Sequence, residues 1–218
     1  MKRTKVGFTL VEIAIVLVII GLLLGGILKG QEMITQAKIK NIVADFSGVS
    51  AAYYGYQDRY RAIPGDDNGA TARWGAAVAQ GNGNGQVGGT YNSATAADES
   101  RLWWDHLRRS GFVAGAGTQQ PFNAVTGLLG VQTGDAQAVV GPALGGFVSL
   151  IVCSANLPDK IAIAVDTQMD DGVPNTGTVR GGLHTGGPNP DIGGAAGLAA
   201  AATYIETGAN VYTVCRSV

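Results

Sequence analysis

The chain has 218 residues, a formal net charge of −1 and only 14% charged side chains. That balance gives no strong electrostatic hold on nucleic acid, and the length suits one domain of ordinary size with an added element. Apolar residues make up 46% but crowd into the first 30 positions, and 34 glycines, about twice the usual share, predict a loop-rich globular part.

Lys2, Arg3 and Lys5 stand in the first seven residues; without them, 12 of the 15 basic side chains remain against 16 acidic ones. Phe8 to Leu28 then runs for 21 residues with Glu12 as its one charge. A helix of that length, at about 1.5 Å per residue, just spans a hydrocarbon core of roughly 30 Å. The basic side chains before it predict a cytoplasmic N-terminus and an extracytoplasmic remainder. A cleaved secretory signal fits less well. Its apolar run is about 7–15 residues and ends in a small-residue site, which Leu24-Gly25-Gly26-Ile27-Leu28-Lys29-Gly30 does not offer. A permanent single-pass anchor leaves Glu12 unexplained. A carboxylate at depth costs on the order of 2–3 kcal/mol. Ile13 to Leu28 hold no cation, so its partner is expected outside the helix.

Gly7-Phe8-Thr9-Leu10-Val11-Glu12, after a short basic leader and at the head of the apolar run, resembles the processing motif of type IV pilins and of the pseudopilins of type II secretion. The resemblance implies that a prepilin peptidase cuts after Gly7 and methylates the new N-terminus at Phe8. It implies that Glu12 meets the Phe8 amine of a neighbouring copy, a pairing favoured at low dielectric and able to fix axial register. The implied partners are other copies or pilin-like subunits in a helical filament, the peptidase and inner-membrane assembly machinery. The implied location is the inner membrane with the head in the periplasm, then a periplasmic or cell-surface filament. No catalytic activity or cofactor is implied, and nucleic acid is not an expected partner. A membrane-anchored binding module that never polymerises is the reading from another class.

From Gln31 to Tyr60 there is no proline, and Ile39, Ile42, Val43, Phe46, Val49, Tyr53, Tyr56 and Tyr60 recur at helical spacing. One helix is expected from Phe8 to about Tyr60, apolar all round over residues 8–30 and amphipathic over 31–62. Residues 63–218 would form an α+β head. With the resemblance this gives the pilin ladle, a small antiparallel sheet over a long helix. Gly21, Gly25, Gly26 and Gly30 read either as close-packing positions or as a stretch able to unwind.

In the head, Ile63-Pro64-Gly65-Asp66-Asp67-Asn68-Gly69 carries turn chemistry. Ala97 to Gly111 reads as a helix closed by Gly111. Phe147 to Val152 reads as a buried strand, Pro158 to Met169 as a helix, and Thr178-Val179-Arg180 and Asn210 to Cys215 as strands. Gly181 to Gly197 reads as a loop. Cys153 and Cys215 lie beyond the apolar segment from the leader, so a disulfide is expected if that side is oxidising, the alternative being two buried thiols. Many type IV pilins carry a comparable disulfide.

Other signals are weighed against plainer readings. Asp66, Asp67, Asn82, Asn84 and Asp98, or Asp170, Asp171 and Asn175, supply oxygens suited to calcium, which some pseudopilins bind. They are also ordinary turn residues. Gly83 to Gly88 satisfies G-x-G-x-x-G, without a strand before it or a helix after it. His106 and His184 lack zinc spacing, and Asp105-His106 near Ser100 or Ser110 reads as a helix surface rather than a hydrolase. Trp103-Trp104 offers a partner surface or, for one of the two, core. Arg101, Arg108 and Arg109 are too few for a DNA site.

Overall fold

The computed structural model describes residues 9–134, 144–184, 186–192, 198 and 200–218. The chain divides into two compact units, Met1–Lys38 and Ile39–Val218.

Helix α1 covers Leu10–Tyr60, 51 residues without a break. It is regular through Gly21, Gly25, Gly26 and Gly30, where an added Cβ would meet nothing within 4 Å. Within the first unit the apolar side chains lie open on every side of the helix, as the absence of any amphipathic period there requires. Among the described residues this is one helix long and apolar enough to cross a membrane, with a best-window mean hydropathy of 2.8 and none of that window buried.

In the second unit the same helix becomes one-sided. Ile39, Ile42, Phe46, Val49, Ala52 and Tyr56 are buried at spacings of three and four, and Val43, Tyr53 and Tyr60 pack at the margin. After α1 come α2 (Ala70–Trp74), α3 (Glu99–Arg109), β1 (Leu129–Thr133), β2 (Leu150–Pro158), α4 (Asp159–Met169), β3 (Val179–Leu183) and β4 (Val211–Ser217). The strands make one antiparallel sheet in the order β1-β2-β4-β3. The architecture is α+β.

Because side chains alternate across a strand, the sheet feeds two cores. Leu129, Val131, Val152, Tyr212 and Val214 join the α1 stripe, Trp103, Trp104 and Leu107 of α3, and Ile161, Ala162 and Val165 of α4. Ile151, Cys153, Ala155 and Cys215 face the other way, with Tyr91, Leu144, Phe147, Ile192 and Leu198. Cys153 and Cys215 are direct cross-strand partners in the β2–β4 ladder and form a disulfide. They are fully buried in this second core.

The expected strand at 147–152 starts later and runs to Pro158, so that α4 follows without a loop. Strand β1 and helix α2 were not expected. Leu129-Gly130-Val131-Gln132-Thr133 is short and broken by a glycine, and Gly130 is required because a Cβ there would strike the Tyr91 carbonyl. Helix α3 ends as expected at Gly111, whose φ is +83°. Gly111 N–H bonds the Arg108 carbonyl and Phe112 N–H bonds the Leu107 carbonyl, the paired bonds of a Schellman stop.

Candidate functional site

The first candidate lies at the start of α1. Thr9 Oγ1 accepts the Glu12 N–H at 3.2 Å, while the Thr9 N–H and hydroxyl both donate to Glu12 Oε2 at 2.8 Å. This reciprocal pattern is a capping box, which satisfies amides that the first helical turn leaves open. Thr9-Leu10-Val11-Glu12 carries the signature in the sequence, a local partner beside the positive one expected outside the helix. The carboxylate therefore has two neutral donors within its own chain. Gly7 and Phe8, the expected processing residues, lie outside the described residues.

The second candidate is the loop region between Arg61 and Glu99, in the second unit. Its backbone is organised by acidic side chains. Asp66 accepts N–H bonds from Gly83 (2.6 Å) and Asn84 (3.0 Å) on Oδ1 and from Gly85 (2.7 Å) on Oδ2. Glu99 accepts from Asn82 (2.9 Å) and Gly88 (2.8 Å). The amides of the Gly83 to Gly88 motif thus cradle the protein's own carboxylates, and a nucleotide phosphate has no place there. The close approach depends on two glycines. A Cβ on Gly65 would meet the Glu99 carbonyl, and one on Gly81 would meet the backbone of Gly65 and Asp66.

Asp67 receives the Tyr56 hydroxyl at 2.6 Å, Arg73 Nη1 at 2.6 Å and the Gly69 N–H at 2.8 Å. Burial raises its pKa, but these three donors outweigh burial and hold it below the usual carboxylate range. Burial, and then the same bond to Asp67, push the Tyr56 phenol well above its ordinary value. Arg73 also lies 4.2 Å from the Tyr60 ring centroid. The expected calcium candidates of this region all have internal donors. Asp66 and Asp67 spend their oxygens on separate internal donors, while the side-chain oxygens of Asn82 and Asn84 accept the N–H groups of Asn84 and Gln86 in local turns. Asp98 bonds the Ser93 hydroxyl.

His106 is fully buried, not on a helix surface as the sequence suggested. Its Nδ1 accepts the Gly65 N–H at 3.0 Å, which leaves the proton on Nε2, 2.9 Å from the Ala79 carbonyl. Burial holds its pKa below the ordinary value, against the pull of the Ala79 carbonyl, Asp67 and Asp105. Asp105 is engaged by Arg109 at 2.6 Å. The Asp105-His106 pair therefore works as scaffold, and no nucleophile bonds the ring.

A third grouping gathers around the end of α4. Carboxylate oxygens of Asp166, Asp170 and Asp171 lie within 4.8 Å of one another. Asp170 and Asp171 were expected calcium candidates, and Asp166, which joins them, was missed because its spacing looks helical. Each already accepts internal donors: Tyr204 Oη and Gly172 N on Asp166, Thr178 N and Val179 N on Asp170, Val173 N and Thr176 Oγ1 on Asp171. Five of their six carboxylate oxygens thus already accept an internal donor.

The remaining signals resolve as structure. Trp103 and Trp104 are both buried, so neither forms a surface. Arg101 and Arg108 donate to the carbonyls of Gly117, Thr118 and Gln119, holding that loop against α3. His184 Nε2 sits 2.7 Å from Thr213 Oγ1, and neither cysteine offers it a thiolate because both are in the disulfide.

Comparison with protein-family models, with curated proteins and with solved structures gives no match for this chain.

Proposed function

We propose that this chain is a structural subunit of a type IV pilus-like filament, anchored in a membrane before assembly and joined to other subunits through the first half of α1. The observation that carries the reading is the helix itself. From Leu10 to Leu28 it holds an all-round exposed apolar surface, interrupted near its start by Glu12. Lipid satisfies such a surface, and so do neighbouring copies of the same helix once the subunit leaves the bilayer. The motif residues Gly7, Phe8 and Glu12 then serve cleavage, methylation and register, in that order. The disulfide supports a head that works in an oxidising compartment.

The Thr9–Glu12 capping box favours a second reading, a single-pass anchor that never polymerises, because it explains the carboxylate within one chain. Expression in a host with a prepilin peptidase separates the two. The filament reading expects the purified native polypeptide to begin at Phe8 and to form fibres, with fibre yield lost in Glu12→Ala. A polypeptide that keeps its leader and stays single in the membrane overturns it.

A further inference from the structure

Three asparagines of the head stand directly before a glycine: Asn68-Gly69, Asn82-Gly83 and Asn84-Gly85. In a flexible chain this pairing is prone to spontaneous deamidation, since glycine places no Cβ in the path of its own nitrogen. The glycine amide loses its proton to hydroxide, its nitrogen forms a bond to asparagine Cγ, and the side-chain nitrogen leaves as ammonia. Water then opens the succinimide to aspartate or isoaspartate. Asparagine and water become acid and ammonia, with no change of oxidation state.

The reaction needs a glycine N–H that can be deprotonated and a backbone free to swing onto Cγ. In the head all three N–H groups are held by carboxylates. Gly69 donates to Asp67 Oδ1 at 2.8 Å, Gly83 to Asp66 Oδ1 at 2.6 Å and Gly85 to Asp66 Oδ2 at 2.7 Å. Gly83 N–H also reaches the Asp66 carbonyl at 3.0 Å. A negative charge against an N–H opposes removal of that proton. The asparagine amides are occupied too, with Asn82 Oδ1 and Asn84 Oδ1 accepting the N–H groups two residues on. Asp66 and Asp67 are themselves buried, so the clasp is not a surface contact that solvent replaces freely.

We propose that Asn68, Asn82 and Asn84 are latent modification sites held shut by Asp66 and Asp67, which bind the three glycine nitrogens whose attack would age the head. The modification is one-way. Isoaspartate lengthens the backbone in a loop already packed so closely that Gly81 has no room for a Cβ.

The test incubates the full chain in mildly alkaline buffer and follows each Asn-Gly peptide by mass spectrometry, beside the same protein reduced and unfolded in urea. Attack in the folded protein must wait for local opening, so each site is expected to react at least about tenfold more slowly than in the unfolded chain. Asp66→Ala is expected to speed Asn84 and Asn82 while leaving Asn68 slow. Equal rates in folded and unfolded protein overturn the proposal, as does a folded Asp66→Ala whose Asn84 stays as slow as the parent's. Where that variant does not fold, hydrogen exchange in the parent decides. Gly83 and Gly85 amides exchanging as fast as in the unfolded chain overturn it, and slow exchange supports it.

Discussion

Tyr56 and Asp67 are joined at 2.6 Å across the turn that ends α1, so the last buried residue of the helix stripe holds the first acidic pair of the loop region. The bond is to a charged acceptor in the core, and such bonds are worth about 1.5–3 kcal/mol. Tyr56→Phe keeps the ring and removes the donor. It is expected to lower head stability by that amount in urea unfolding, with little change in the slope. Asp67's pKa is depressed in the fold, so its contribution is present above the unfolded value of about 3.9 and is lost as pH falls through the folded one. Tyr56→Phe is therefore also expected to flatten the acid limb. A variant as stable and as acid-labile as the parent would show that Arg73 and Gly69 alone satisfy the carboxylate.

His106 gives a second pH dependence of a different kind. Its folded pKa is lowered, chiefly by burial, so the fold favours the neutral ring. Stability is complete above the unfolded value of about 6.5 and falls as pH drops below it, because protons then bind the unfolded chain more readily. Protonation also sets a new N–H on Nδ1 against the Gly65 N–H, two donors facing one another. The melting temperature of the parent is expected to decline from about pH 6.5 downward. His106→Gln should be less stable at neutral pH but without that decline. Parallel profiles would assign the decline to other groups.

Much of this fold is legible in the chain, and the illegible parts share a cause. Residues 39–60 announce themselves because one core takes every third or fourth side chain, and the Gly111 stop announces itself because positive φ there favours glycine. Strand β1 does not, since it is buried on both faces yet Gly130 and Gln132 deny it a continuous apolar run, for reasons set by Tyr91, distant in sequence. His106 was expected on a surface, and of the two tryptophans only one was expected in the core, whereas all three are buried. Nothing local in Trp103-Trp104-Asp105-His106 says that α3 is covered on nearly every side, by α1 on one flank and the 61–90 loop on another. Of the candidate sites, Cys153 and Cys215 were readable from compartment and count. The turn acids Asp66 and Asp67 looked like metal ligands because carboxylates that bind a cation and carboxylates that bind backbone amides have the same composition. Only the donors around them tell the two apart.

The Cys153–Cys215 disulfide closes a span of 62 residues, within which fall α4, β3 and the glycine-rich segment after it. In the chain-entropy view, closing a loop of that length stabilises the fold by about 4 kcal/mol. Replacing both cysteines with alanine is expected to lower head stability by roughly that much, and to open the C-terminal third to limited proteolysis before the α1 stripe is touched. Since Cys153 and Cys215 sit in the core away from α1, the two layers should separate in sensitivity. Cleavage beginning equally in both layers would contradict that order.

Thr9 and Glu12 offer a way to divide the two roles of one carboxylate. Thr9→Val removes the hydroxyl that caps the Glu12 N–H and donates to its Oε2, while leaving the charge in place. Loss of a cap costs about 1 kcal/mol at a helix end, so faster amide exchange over the first turn is expected in a membrane mimetic. Glu12→Gln removes the charge but keeps an acceptor for the Thr9 N–H, so the first turn should fray less. If Glu12 serves assembly through a neighbour's amine, filament yield falls sharply in Glu12→Gln and survives in Thr9→Val, the reverse of the order in fraying. If the carboxylate only caps its own helix, yield should follow fraying instead. The crossing of the two orders is the measurement that separates a register contact between subunits from a cap within one.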